Sequence, residues 1–258
     1  MNAGTPLPIV LSIPHGALTI PPELQDRVAL TPADIFAEAD AYTADFYDVG
    51  ADVAGVVRAD AARAIIDVNR APDELPPVHK DGVIKVLSSY GKPTFSPGKT
   101  PAAGLSQQLL QRYYHPYHAA LRRQLQTGPA KLGLDCHAME PIGPPHGRGA
   151  GKPRPLFCLS NVNGKSADNS LLEKLAAALM HGFGVARGDV LFNDPFQGGY
   201  IVKTYGKQPL PWLQLEMNKK LYLRKPWYDE TRHTVHPDAI QTMRRAFRQT
   251  LQFLVAYL

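Results

Sequence analysis

Two histidines stand at the ends of apolar, strand-like runs. One closes Ile9-Val10-Leu11-Ser12-Ile13-Pro14-His15, the other Leu132-Gly133-Leu134-Asp135-Cys136-His137. A side chain at the carboxyl tip of a strand in an open α/β sheet points into the crevice where such sheets bind ligands. Two imidazoles delivered there from distant parts of the chain make two thirds of a catalytic zinc site, which takes three protein ligands and keeps a fourth position open. The carboxylate ligand is expected from Glu38-Ala39-Asp40, with Asp40 preferred and Glu38 as the fallback. Taken alone, Asp40 would read first as a helix N-cap and His15 as a hydrogen-bonded core residue; their combination with His137 favours one zinc ion per chain.

Two further groups could complete a reaction. In Arg63-Ala64-Ile65-Ile66-Asp67-Val68-Asn69-Arg70 an apolar run lies between arginines and ends in Asp-x-Asn-Arg. Asn69 beside Arg70 offers an amide and a planar guanidinium fork, a natural clamp for a substrate carboxylate. Asp67 would hold that fork, and the competing reading is a surface Asp–Arg pair. In Leu213-Gln214-Leu215-Glu216-Met217, strand alternation puts Gln214 and Glu216 on one face. An acid inside such a strand needs a reason, because an unpaired buried carboxylate is costly. Glu216 is therefore either a general base with a raised pKa or the partner of a buried arginine, with Gln214 a substrate contact beside it.

Strands and helices alternate around these groups. Strands are expected at Pro8–Ile13, Gly55–Arg58, Ala64–Val68, Lys131–Cys136, Pro155–Ser160, Tyr200–Thr204 and Trp212–Met217. Helical patterns cover Ala33–Val53, with Thr31 as N-cap and Pro32 in the first turn, then Leu105–Gln126, which Pro116 could kink, and Ser170–His181. Ile240, Met243, Phe247, Leu251 and Leu254 recur at helical spacing to the end. The Pro/Gly-rich stretches Arg70–Pro101 and Pro141–Arg154 each closely follow a candidate site residue, so both are expected to border the site. This alternation predicts one α/β domain over residues 1–258, a three-layer sandwich with a mixed, mostly parallel sheet and helices on both faces.

Composition agrees. With 258 residues, 44% apolar and 20% charged, the chain can bury a large core. A net charge of +5 is spread among acidic residues without a basic tract or nucleic-acid motif, so the expected partner is a small anionic substrate rather than nucleic acid. No run is apolar enough for a membrane span. Nothing near Met1 resembles a signal peptide, and the two cysteines, Cys136 and Cys158, suit the reduced thiols of a cytoplasmic protein.

Seven segments in order carry a resemblance: Ser12-Ile13-Pro14-His15-Gly16, Asp40 to Asp48, Ile66-Asp67-Val68-Asn69-Arg70, His115-Pro116-Tyr117-His118, Asp135-Cys136-His137-Ala138-Met139, Gly198-Gly199-Tyr200-Ile201 and Gln214-Leu215-Glu216. Together, from about residue 8 to residue 255, they resemble the N-formylglutamate amidohydrolase family. That family is similar in fold to zinc carboxypeptidases and aspartoacylase, with a mixed eight-stranded sheet between helix layers. The resemblance implies His15, Asp40 (or Glu38) and His137 on zinc and Glu216 as the base. It further implies that Arg63 polarises the scissile carbonyl and that Asn69 and Arg70 hold the carboxylate of the amino-acid product. Lys203 stands where the family is expected to carry an arginine gripping a side-chain carboxylate. The expected activity is zinc-dependent removal of a small acyl group, formyl first, from an N-acyl amino acid. The alternatives are a carboxypeptidase-like metallopeptidase and a non-catalytic carboxylate-binding protein.

Overall fold

A computed structural model describes residues 5–257. Apolar runs form β1 (Leu7–Ile13), β2 (Val53–Arg58), β3 (Leu132–Met139), β4 (Phe157–Ser160), β5 (Val190–Phe192) and β6 (Trp212–Asn218). They pair in the order β2-β1-β3-β6-β4-β5. The first four run parallel, β4 is antiparallel to β6, and β5 is parallel to β4. The sheet is thus mixed and mostly parallel, with six strands where the resemblance implied eight. β7 (Tyr228–Asp229) and β8 (Thr234–Val235) form a separate small hairpin.

Helices cover both faces, the condition under which parallel strands are stable. The segments are α1 (Pro32–Glu38), α2 (Thr43–Tyr47), α3 (Ala103–Leu109), α4 (His115–Thr127), α5 (Asn169–Phe183), α6 (Tyr200–Tyr205) and α7 (Pro237–Val255). On one face Ile9, Leu11, Leu134, Cys136, Leu213 and Leu215 pack under α2, α5 and α7. On the other, Val10 and Trp212 pack with side chains from the α3–α4 segment and α6. Gly133 permits this second layer, because a Cβ there would lie 2.2 Å from the Trp212 indole. No helix among the described residues is long and apolar enough to cross a membrane.

Several boundaries differ from expectation. The Ala64–Val68 run is a buried turn, in which the Ala62 carbonyl accepts from the Ile65 and Ile66 amides; its only strand-like pairing among the described residues is a single antiparallel bridge between Ile66 and Ile84, so apolar content there reflects burial. Tyr200–Thr204 was expected to be extended but lies in helix α6. Its β-branched residues lose to tertiary context: only a helix buries Ile201, Val202 and Tyr205 together. Pro116 falls in the first turn of α4, where its missing amide costs no helix bond; before it the five-residue π turn Leu110–Tyr114 joins α3 to α4, and the His115 amide bonds the Leu110 carbonyl. Thr31 caps α1 as expected, in a reciprocal capping box with Asp34.

Candidate metal centre and active site

Parallel register aligns the polar side chains of three strands. Ser12 of β1 stands beside Asp135 of β3, which stands beside Gln214 of β6; His137 stands beside Glu216 one alternation further on. All therefore point from the same face, at the carboxyl ends of β1, β3 and β6. His15 follows β1 by two residues, and its carbonyl accepts from the Asp40 amide at 3.0 Å, which draws the end of α1 onto the strand tip. Asp40 does not cap α2 with its side chain, since the residue at the cap is Tyr42. Its carboxylate instead meets both imidazoles.

The two rings are held in the same way. His15 Nε2 lies 2.8 Å from Asp67 Oδ1, and His137 Nε2 lies 2.9 Å from Asp135 Oδ2. With each Nε2 donating to a buried carboxylate, both Nδ1 lone pairs are left facing each other at 3.1 Å. Asp40 Oδ2 closes the triangle, 3.1 Å from His137 Nδ1 and 3.4 Å from His15 Nδ1. Two ligands of a tetrahedral zinc, each about 2.0–2.1 Å from the ion, stand roughly 3.3 Å apart. The donor set fits the ion, and the carboxylate behind each histidine is the usual means of fixing a ligand ring.

The charge balance points the same way. Asp40, Asp67, Asp135 and Glu216 are all buried. The cations meeting them are Arg63, 3.5 Å from Asp40 and 3.4 Å from Asp67, and Arg70, 4.0 Å from Asp67. Buried carboxylates in excess are costly without a further positive charge. Burial alone would raise the Asp40 carboxyl, but its contacts with the two imidazoles and the charge of Arg63 hold it well below the usual range. Burial likewise opposes charge on His137, yet Asp135 and Asp40 hold its pKa well above the ordinary value.

Glu216 differs from the other acids. Burial pushes its carboxyl up to about 7, with the charge of His137 opposing and that of Asp40 reinforcing. Gln214 donates to Glu216 Oε1 at 2.8 Å and accepts from the Gly199 amide at 2.7 Å, so it positions the acid. The other expected residues all line one cavity of about 810 Å³. Asn69 is committed there: its Nδ2 donates to Asp135 Oδ2 at 3.4 Å, behind His137, and its Oδ1 accepts from the Ile201 amide. A Cβ at Gly199 would come within 2.4 Å of that amide, so only glycine allows this approach. Arg70 donates through Nε to the Asp81 carbonyl and through Nη2 to its carboxylate, at 2.8 and 2.7 Å. Its fork is thus hydrogen-bonded by Asp81, with the Asp67 carboxylate 4.0 Å from Nε as a second, looser partner. Lys203 is exposed at the cavity wall.

Glu38, the fallback ligand, turns away from the histidines. It accepts from the Ser89 amide and hydroxyl and lies 3.3 Å from Lys85 Nζ. Lys219 binds the Ala39 carbonyl at 2.7 Å, tying the segment after β6 to the Asp40 turn. The two long loops also border the cavity, through residues such as Asp81 and Ser89 in one and His146 and Arg154 in the other. Two functional neighbours escaped the sequence reading. Asp135 was within reach, because it stands two residues before His137 and shares its face. Asp67 was noticed for Arg70, which lies 4.0 Å from it, but its distance from His15 in sequence conceals their contact.

A profile of the N-formylglutamate amidohydrolase family matches residues 7–223. An N-formylglutamate deformylase from Pseudomonas putida is 29% identical over 262 residues, covering 97% of this chain and 93% of that protein. The crystal structure of N-formylglutamate amidohydrolase from Ralstonia eutropha JMP134 has a TM-score of 0.78 at 21% identity, covering 98% of this chain and 94% of that one. A gene product from Agrobacterium tumefaciens has a TM-score of 0.66 at 17% identity, covering 100% and 94%. These two structures share the fold, and the profile extends over most of the sheet and every candidate site residue. The chain therefore belongs to the N-formylglutamate amidohydrolase family.

Proposed function

We propose that this chain is a zinc-dependent deformylase that hydrolyses N-formylglutamate, or a near relative, to formate and the free amino acid. The observation that carries this reading is the convergence of His15 Nδ1, His137 Nδ1 and Asp40 Oδ2 beside Glu216. His15, Asp40 and His137 would hold the ion, and Asp67 and Asp135 would keep both rings aimed at it. When bound, zinc supplies a Lewis acid for the formyl oxygen and lowers the pKa of a water molecule.

The chain's own groups do the rest. Gln214 occupies Oε1 of Glu216, so Oε2 takes the proton from the attacking water and delivers it to the amide nitrogen as the C–N bond breaks. A carboxyl with a pKa near operating pH suits both transfers. Arg63, fixed on Asp40 and Asp67, supports the charge that develops on the carbonyl oxygen. Asn69 braces Asp135 behind His137, and Arg70 offers its remaining Nη1 edge to the carboxylate beside the scissile amide. The test is formate release from N-formylglutamate together with metal analysis of the purified protein. Chelation should abolish activity and added zinc should restore it. Full activity in metal-free protein, or no release from any N-formyl amino acid, refutes the proposal.

A further inference from the structure

The cations around the cavity fall into two sets. Arg63, Arg70, Lys85 and Lys219 each lie within 4.0 Å of a carboxylate. Arg148, Arg154, Lys165 and Lys203 line the same cavity, and none has a carboxylate that close among the described residues. Three of these are exposed, where hydration and salt screen their charge. Arg154 is not: it is half-buried, and its Nε is buried without a hydrogen-bond partner.

The Arg154 side chain is nevertheless fixed. Nη2 donates to the Arg148 carbonyl at 2.9 Å, Nη1 to the Glu140 carbonyl at 3.4 Å, and the guanidinium stacks 4.9 Å from the centre of the Phe196 ring. Its contacts set the plane of the fork but bring no negative charge. Burial lowers its pKa, with the charges of Glu216 and Glu140 opposing, and Arg154 and Glu216 line the same cavity. A guanidinium removed from water with no counter-ion is costly unless a ligand supplies one.

We propose that Arg154 binds a carboxylate on the substrate's side chain and so makes the cavity select N-acylated dicarboxylic amino acids. This rests on the deformylase reading above. Arg70 and Arg154 then serve one carboxylate each. The exposed Lys203, expected from the sequence to grip the side chain, only adds to the attraction of anions to the mouth.

N-formylglutamate and N-formylglutamine differ only in the terminal carboxylate, so their kcat/KM ratio tests the assignment. The wild type should prefer the glutamate derivative by about a hundredfold. Arg154→Met should lower kcat/KM for N-formylglutamate by about ten- to a hundredfold, mainly through KM, while N-formylglutamine stays within about threefold. Equal losses on both substrates would make Arg154 a loop brace and overturn the proposal; so would an unchanged ratio, or a wild type with no preference. If Arg154→Met does not fold, Arg154→Lys decides, because it keeps the charge and loses the fork. Its ratio should narrow by about tenfold, and a wild-type ratio overturns the proposal. A wild type that cleaves neither compound refutes the deformylase reading itself and removes the basis of this proposal, an outcome distinct from the others.

Discussion

His118 and the pair His15–His137 are equally buried, yet their surroundings are opposite. His118, on α4, has both nitrogens satisfied by neutral groups: Nε2 donates to the Val68 carbonyl at 2.9 Å and Nδ1 accepts from the Tyr205 hydroxyl at 2.9 Å. Burial pushes its pKa down to about 4, with the Val68 carbonyl opposing. His15 and His137 each spend one nitrogen on a carboxylate and turn the other toward a third acid. A buried histidine is thus a candidate ligand where the protein leaves one of its nitrogens without a neutral partner. Burial by itself separates nothing.

Four variants would break or sharpen that contrast. His137→Ala should carry almost no zinc and lose at least about ten-thousandfold in activity, since an open site with one ligand removed cannot hold its ion well. Metal analysis checks it, and full occupancy ends the assignment. Glu216→Gln should remain folded and metal-loaded while the rate falls by about a hundred- to ten-thousandfold. An active but less stable protein would instead make Glu216 a structural ion-pair partner. Asp135→Asn keeps the shape but removes the charge behind His137, so metal affinity should fall by about ten- to a hundredfold, read by chelator competition.

His118→Gln should have the smallest effect and a different readout. In the unfolded chain this imidazole titrates near 6.5, but in the fold it stays neutral down to about 4. Between those values the unfolded state binds more protons, so stability is greatest above pH 6.5 and declines as pH falls toward 4. The penalty reaches a few kcal/mol at the acid end. The variant should show a shallower loss of denaturation midpoint across that window, with metal content unchanged. An identical pH slope in both proteins would show that His118 is not the group responsible.

The sequence told more about the site's ligands than about what holds them. His15 and His137 were legible because a strand tip announces itself by an apolar run that stops. Glu216 was legible because an acid is conspicuous among Leu213, Leu215 and Met217. Asp40 emerged ahead of Glu38, and the structure separates them by giving Glu38 to Ser89 and Lys85. What alternation cannot reveal is pairing across loops. Asp67 reaches His15 over 52 residues, and Asp81 captures Arg70 from within a stretch without regular structure. The same limit explains α6: its local preference is extended, and the helix exists because of what it covers. The six paired strands were mostly readable, but β5, three residues long, was too short to leave a pattern.

Lys219 has a consequence for how this protein could change over time. Its ammonium binds the Ala39 carbonyl immediately before Asp40, while its backbone directly continues the strand that bears Glu216. Asp40 and Glu216, the proposed metal ligand and base, are thereby coupled in one frame, and a substitution that shifts either would disturb both. Arg148 and Arg154 belong to a loop that meets that frame through its backbone, the Arg154 carbonyl accepting from Asn218 Nδ2 at 3.2 Å. Side chains at residues 144–154 can therefore be exchanged to shift the proposed substrate range while that backbone tie, and with it the proposed metal and base positions, is kept.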